Sequence, residues 1–132
     1  MAHPPTNGLA HVALRCRDLA ALEAFYQVLG FRVVWRPDPA NVYLSSGRDN
    51  LALHQEPEPA VPPPPGPDSR LDHLGVLVPA PADVDRWAAH LAAHGLTPEA
   101  PPRDHRDGSR SFYVKDPEGN RLQVIFIPAP AA

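Results

Sequence analysis

The chain states one structural unit twice, and this repeat constrains its fold more than any other feature. LAHVALRCRDL (9–19) aligns with LDHLGVLVPAP (71–81): Leu9 matches Leu71, His11 matches His73, Ala13 matches Gly75 and Leu14 matches Val76, all at an offset of 62. An internal repeat of this kind marks a supersecondary unit that buries its apolar face only with further elements. Each strand-like stretch is followed by helical spacing. Leu19, Leu22, Phe25, Tyr26 and Leu29 recur at three and four residues, and Gly30 supplies a C-terminal stop. In the second copy, Asp83 or a neighbour opens a helix that carries Val84, Trp87, Ala88 and Leu91, and Gly95 ends it. There the offset grows to 65, because the PAPAD loop is three residues longer.

Short strands complete each copy. The first continues with FRVVWR, NVYL and NLALHQ. The second continues with a proline-interrupted segment near Leu96–Ala100, then RSFYVK and RLQVIFI. The last two are joined by DPEGN (116–120), where Pro117 suits the second position of a type I turn and Gly119 can take the left-handed conformation behind it. SSGRDN (45–50) holds the matching place in the first copy. The fold class is therefore α+β, built from two β-α-β-β-β modules.

The two copies span about 7–56 and 70–128, separated by a spacer over 57–69. Seven of the 19 prolines fall between Pro57 and Pro67, in EPEPAVPPPPGP, which predicts an extended polyproline II connector rather than a helix or a central strand. At 132 residues the chain suits one domain made of both modules. A net charge of −3 without a Lys/Arg cluster gives no reason to expect nucleic acid. The single cysteine, Cys16, cannot form an internal disulfide and suits a reducing compartment. MAHPPTNG lacks the features of a signal peptide, and no apolar run has the length of a membrane span. The expectation is a cytoplasmic protein with no membrane partner.

Strand alternation assigns the faces. In the second copy Leu74, Val76 and Val78 share one face, and Leu71, His73, Gly75 and Leu77 the other. The first copy splits alike, with Val12, Leu14 and Cys16 opposite Leu9, His11 and Ala13. The first set packs under the helices, which makes Cys16 inert core; the second set faces whatever the sheet encloses. Ala13 and Gly75 are small and leave room there. In RLQVIFI, Gln123 shares the inner side with Ile125 and Ile127, and a buried amide without a partner costs on the order of 1–3 kcal/mol, so Gln123 needs a hydrogen bond or a ligand. In NLALHQ, Ala52 aligns with Gln123, and His54 lies two residues further along the same side.

The paired modules, and above all HVALRCRDLAALEAFYQVLGF and FYVKDPEGNRLQV, resemble the vicinal oxygen chelate superfamily, which includes glyoxalase I, extradiol dioxygenases, and fosfomycin- and bleomycin-resistance proteins. The resemblance spans about Gly8 to Pro128. It implies a curled mixed sheet around a cavity, with the helices on the outer face. Metal-using members draw ligands from the first and last strands of each module. Carried onto this chain, those positions are His11, Ala52 or His54, His73 and Gln123, for a divalent ion such as Fe, Zn, Ni or Mn. The last-strand residue is usually glutamate in the metalloenzymes; Gln123 offers an amide oxygen without charge or useful basicity. If His54 joins, a three-histidine set results. The resemblance also implies a small-molecule substrate and a homodimer.

Two functions follow. One is a metal-dependent enzyme whose ion chelates vicinal oxygens of the substrate, with lyase, isomerase, dioxygenase or thiol transferase chemistry left open. The other is a metal-free drug- or metabolite-binding protein of the bleomycin-resistance type. The loop RDHRDGSRS, with His105, Arg103, Arg106 and Arg110, leads into the strand of Tyr113. It is either a flap that grips an anionic substrate through His105, Arg110 and Tyr113, or a solvated hairpin end. His90 and His94 are spaced i, i+4 on the second helix without the glutamate of HExxH, and read as flanking its core stripe. His3 falls in the unpatterned N-terminal stretch.

Overall fold

The computed structural model describes residues 11–57, 71 and 73–128. The chain divides into two compact units, Met1–Ala60 and Val61–Ala132. Each contains a four-stranded mixed sheet and one helix, in the order strand, helix, three strands. This is the α+β architecture of two β-α-β-β-β modules that the repeat implies. The proline-rich spacer beyond Pro57, and His3, lie outside the described residues.

The first unit consists of β1 (Val12–Cys16), α1 (Leu19–Val28), β2 (Arg32–Asp38), β3 (Asn41–Ser45) and β4 (Leu51–Gln55). The sheet order is β1-β4-β3-β2, with β1 parallel to β4 and the other pairs antiparallel. Asp18 caps α1, its carboxylate accepting the Ala21 N–H at 3.0 Å. Gly30 ends the helix turn with φ 101°, a conformation that a side chain would strain. Leu19, Leu22, Phe25 and Tyr26 form the buried stripe, and α1 packs on β4. Leu14 and Cys16 are buried with Val42, Leu44, Leu51 and Leu53 on one side of the sheet. Full burial of each such leucine contributes about 1.5–3 kcal/mol. The Gln55 side chain fastens the end of β4 to the helix start: its oxygen accepts the Leu19 N–H at 2.9 Å and its nitrogen donates to the Arg17 carbonyl at 2.6 Å.

The second unit consists of β5 (Leu74–Leu77), α2 (Pro81–Ala93), β6 (Arg103–Asp104), β7 (Arg110–Lys115) and β8 (Arg121–Phe126), in sheet order β5-β8-β7-β6. Pro81 opens α2, two residues before Asp83, where its missing N–H costs no helical bond. Leu96–Ala100 is not a strand. Pro98, Pro101 and Pro102 remove ladder donors there, and β6 forms only at Arg103–Asp104. The β7–β8 turn is built around the buried Asp116, whose carboxylate accepts from the Glu118 and Asn120 N–H groups, each at 2.9 Å, while Gly119 takes φ 84°. No helix among the described residues is long and apolar enough to cross a membrane.

Candidate functional site

Residues in register on neighbouring strands share a face, so the ladders arrange the inner side of each sheet in rows. In the first unit Ala13, Ala52 and Tyr43 form one row, with Trp35 paired to Tyr43 beyond. Arg15, His54 and Asn41 form the next row. In the second unit the corresponding rows are Gly75, Gln123 and Tyr113, then Leu77, Ile125 and Ser111, with Arg103 beyond. His11 and His73 immediately precede β1 and β5, and both are exposed; the contact of His73 with Tyr113 puts its ring on this side. The register gives Ala52 the place that corresponds to Gln123. His54 stands one row further along, where the second unit has Ile125.

Around Gln123 the structure is polar and ordered. Its Nε2 donates to the Ser111 hydroxyl at 3.2 Å, and the same hydroxyl lies 2.7 Å from His105 Nε2. The amide oxygen is thereby turned toward β5, 3.9 Å from where a Cβ on Gly75 would stand. The His73 ring meets Tyr113 edge to face, with centroids 5.5 Å apart. The Arg121 guanidinium lies 3.9 Å above the Tyr113 ring and is held by Glu99 at 2.7 Å. That contact, through the Arg121 hydrogen bonds first, holds the Glu99 carboxyl below its ordinary value. A cleft of about 220 Å³ opens here, lined by Glu99, Arg103, His105, Ser111, Tyr113 and Arg121 among others.

Of the three residues expected to contact substrate, His105 and Tyr113 line this cleft and Arg110 does not. Alternation along β7 puts Arg110 on the side of the buried Phe112 and Val114, opposite Tyr113. There its guanidinium donates to Asp85 of α2 at 2.8 Å and to Asp104 at 3.0 Å, which raises its pKa and lowers that of Asp85. Arg103 and Arg121 are the arginines of the cleft. The period of two within RSFYVK already separates Arg110 from Tyr113; the part of Arg121 was hidden until the hairpin register was known.

In the first unit, Trp35 stacks on Tyr43 with centroids 4.9 Å apart, and Tyr43 meets the His54 ring at 6.0 Å. His54 Nδ1 lies 2.6 Å from Asn41 Oδ1. Among the described residues no three His, Cys, Asp or Glu side chains gather as a metal cluster. The oriented Gln123 oxygen is a donor of another type. Imidazole nitrogen and amide oxygen are donors that first-row divalent ions accept, so His73 and Gln123 of the second unit fit such an ion by donor type, though without a carboxylate to balance its charge.

Comparison with known proteins agrees with this architecture. The family model of the Glyoxalase/Bleomycin resistance protein/Dioxygenase superfamily matches residues 8–124, and the chain belongs to that superfamily. A lactoylglutathione lyase from Agrobacterium tumefaciens is similar in structure, with 28% identity and TM-score 0.74, covering 93% of this chain and 96% of that one. A glyoxalase/dioxygenase from Nostoc punctiforme shares the fold at 23% identity and TM-score 0.77, with 98% of each chain covered. No curated protein matches the sequence significantly.

Proposed function

We propose that this chain is a small-molecule enzyme of the glyoxalase/dioxygenase type, in which His11, His73 and Gln123 hold a divalent ion. The observation that carries the reading is the placement of Gln123: Ser111 holds its nitrogen, leaving the oxygen over Gly75 on the side that also bears His73. When bound, such an ion supplies Lewis-acid stabilisation of charge that develops on two adjacent substrate oxygens. The chain's own residues orient and bind. Ala13 and Gly75 leave space on the inner faces, Tyr113 offers an aromatic wall, and Arg103 and His105 offer hydrogen-bond donors to an anionic substituent. Gln123 cannot act as a base, so proton transfer falls to another group. The similarity to a lactoylglutathione lyase supports an enzyme.

A metal-free binding protein is the second reading. It is favoured by Ala52, which leaves the first unit without a donor at the place of Gln123. Titration calorimetry with Zn²⁺, Ni²⁺ or Mn²⁺ on chelator-treated protein separates the two. The enzyme reading expects one site per chain, lost in His11→Ala and in His73→Ala. It also expects that site to survive in His90→Ala/His94→Ala, which removes an exposed pair with ring centroids 4.6 Å apart. Absence of uptake by the wild-type protein would leave the binding reading. A homodimer belongs to the same proposal; light scattering that returns one chain's 14.3 kDa would overturn it.

A further inference from the structure

The polar row of the first unit has a hydrogen-bond order that selects the neutral tautomer of His54. Asp38 accepts the Ala40 N–H at 2.8 Å and both of its oxygens accept from Asn41 Nδ2, at 2.9 and 3.0 Å. The Asn41 amide, and after it the Ala40 N–H, hold the Asp38 carboxyl below its ordinary value, so it is ionised and can only accept. Asn41 must therefore turn its NH₂ to Asp38 and its oxygen the other way. That oxygen faces His54 Nδ1 at 2.6 Å, and an amide oxygen also only accepts. Nδ1 therefore carries a proton, and in the neutral tautomer Nε2 is the acceptor; Nε2 makes no hydrogen bond among the described residues.

The neighbours of that acceptor complete a recognition pattern. Arg15 is the register partner of His54 on β1, and its guanidinium has neither hydrogen bond nor ion pair among the described residues, whereas Arg36 of the same unit is held by Glu23 at 2.7 Å. The adjoining row offers the stacked Trp35 and Tyr43, and Trp35 is 59% exposed. We propose that this row recognises a hydroxylated aromatic carboxylate: the carboxylate on Arg15, the hydroxyl donated to His54 Nε2, and the ring against Trp35 and Tyr43. Asn41 and Asp38 are positioning residues that hold His54 as an acceptor. The proposal rests on the small-molecule part of the function above and does not need the ion.

The test uses the full chain, treated with chelator and labelled with ¹⁵N-histidine. Benzoate and 2-, 3- and 4-hydroxybenzoate are titrated while the His54 ring nitrogens are observed. At a pH where its ring is neutral, wild-type His54 should be protonated at Nδ1 and bare at Nε2, and at least one hydroxybenzoate should bind about fivefold tighter than benzoate, the worth of one hydrogen bond. Asn41→Ala should abolish that preference and move the ring toward the Nε2–H form. Arg15→Met, at an exposed position, should weaken both acids alike and leave the tautomer intact. An Nε2–H ring in the wild-type protein, no preference for any hydroxybenzoate, or an unchanged preference in Asn41→Ala would each overturn the proposal. Ion uptake without the preference would retire this inference alone; the preference without ion uptake would retire the metal reading alone.

Discussion

The two sheets have the same strand order and, across their first, last and third strands, the same register, yet their inner faces carry different chemistry. Ala13, Ala52 and Tyr43 in the first unit occupy the places of Gly75, Gln123 and Tyr113 in the second. The next row is polar in the first unit, Arg15, His54 and Asn41, and mainly apolar in the second, Leu77, Ile125 and Ser111. The scaffold is thus repeated while its inner rows differ. One sheet orients an amide at Gln123, and the other orients an imidazole at His54. Duplication constrains the helix-facing rows, which must pack, and leaves the inward rows free to diverge.

The largest effects should fall where the two units are alike. Leu51 and Leu122 hold equivalent positions and are 3% and 0% exposed, so Leu51→Ala and Leu122→Ala should each cost about 2–5 kcal/mol in urea unfolding. A cost in only one of the two would break the equivalence. Next come the differing places. Ala52→Glu introduces a carboxylate opposite Tyr43 and should tighten divalent-ion binding about tenfold by calorimetry, while Gln123→Ala weakens it by a similar factor. Equal and unchanged affinities in both variants would remove the ion from these rows.

Ser111→Ala should cost roughly 0.5–1.5 kcal/mol, because Gln123 Nε2 and His105 both lose the hydroxyl, and ion binding should weaken with it. The smallest effect is electrostatic. Glu99 has a folded pKa below its ordinary 4.5, so the stability it contributes is present above that value and is lost as pH falls through the lower folded value. Arg121→Gln should therefore lower stability by under about 1 kcal/mol near neutral pH, with the difference from wild type fading as Glu99 becomes protonated in acid. A difference that persists there would point to lost packing against Tyr113 instead.

Much of this organisation was legible in the chain itself. The offset of His11 and His73, the alternation in LDHLGVLV and RLQVIFI, and the glycine after each helix fix both modules and the inward place of Gln123. What stayed hidden depends on contacts across strands. Whether Ala52 or His54 answers to Gln123 is a question of ladder register, which alternation alone leaves open by two residues. The Asp38–Asn41 contact has a local signal in DPAN, where an aspartate before proline favours a turn that its carboxylate caps, but its consequence for His54 appears only once β3 lies beside β4. The two-residue β6 has no periodicity to read, and its neighbouring prolines misplace it toward Leu96–Ala100.

The most direct measurement is elemental analysis of the protein purified without chelator or histidine tag, beside His11→Ala and His73→Ala made in the same way. The wild-type protein should carry a near-stoichiometric divalent ion that is lost in both variants. Wild-type protein without the ion, or an ion that remains when either histidine is removed, would contradict that expectation.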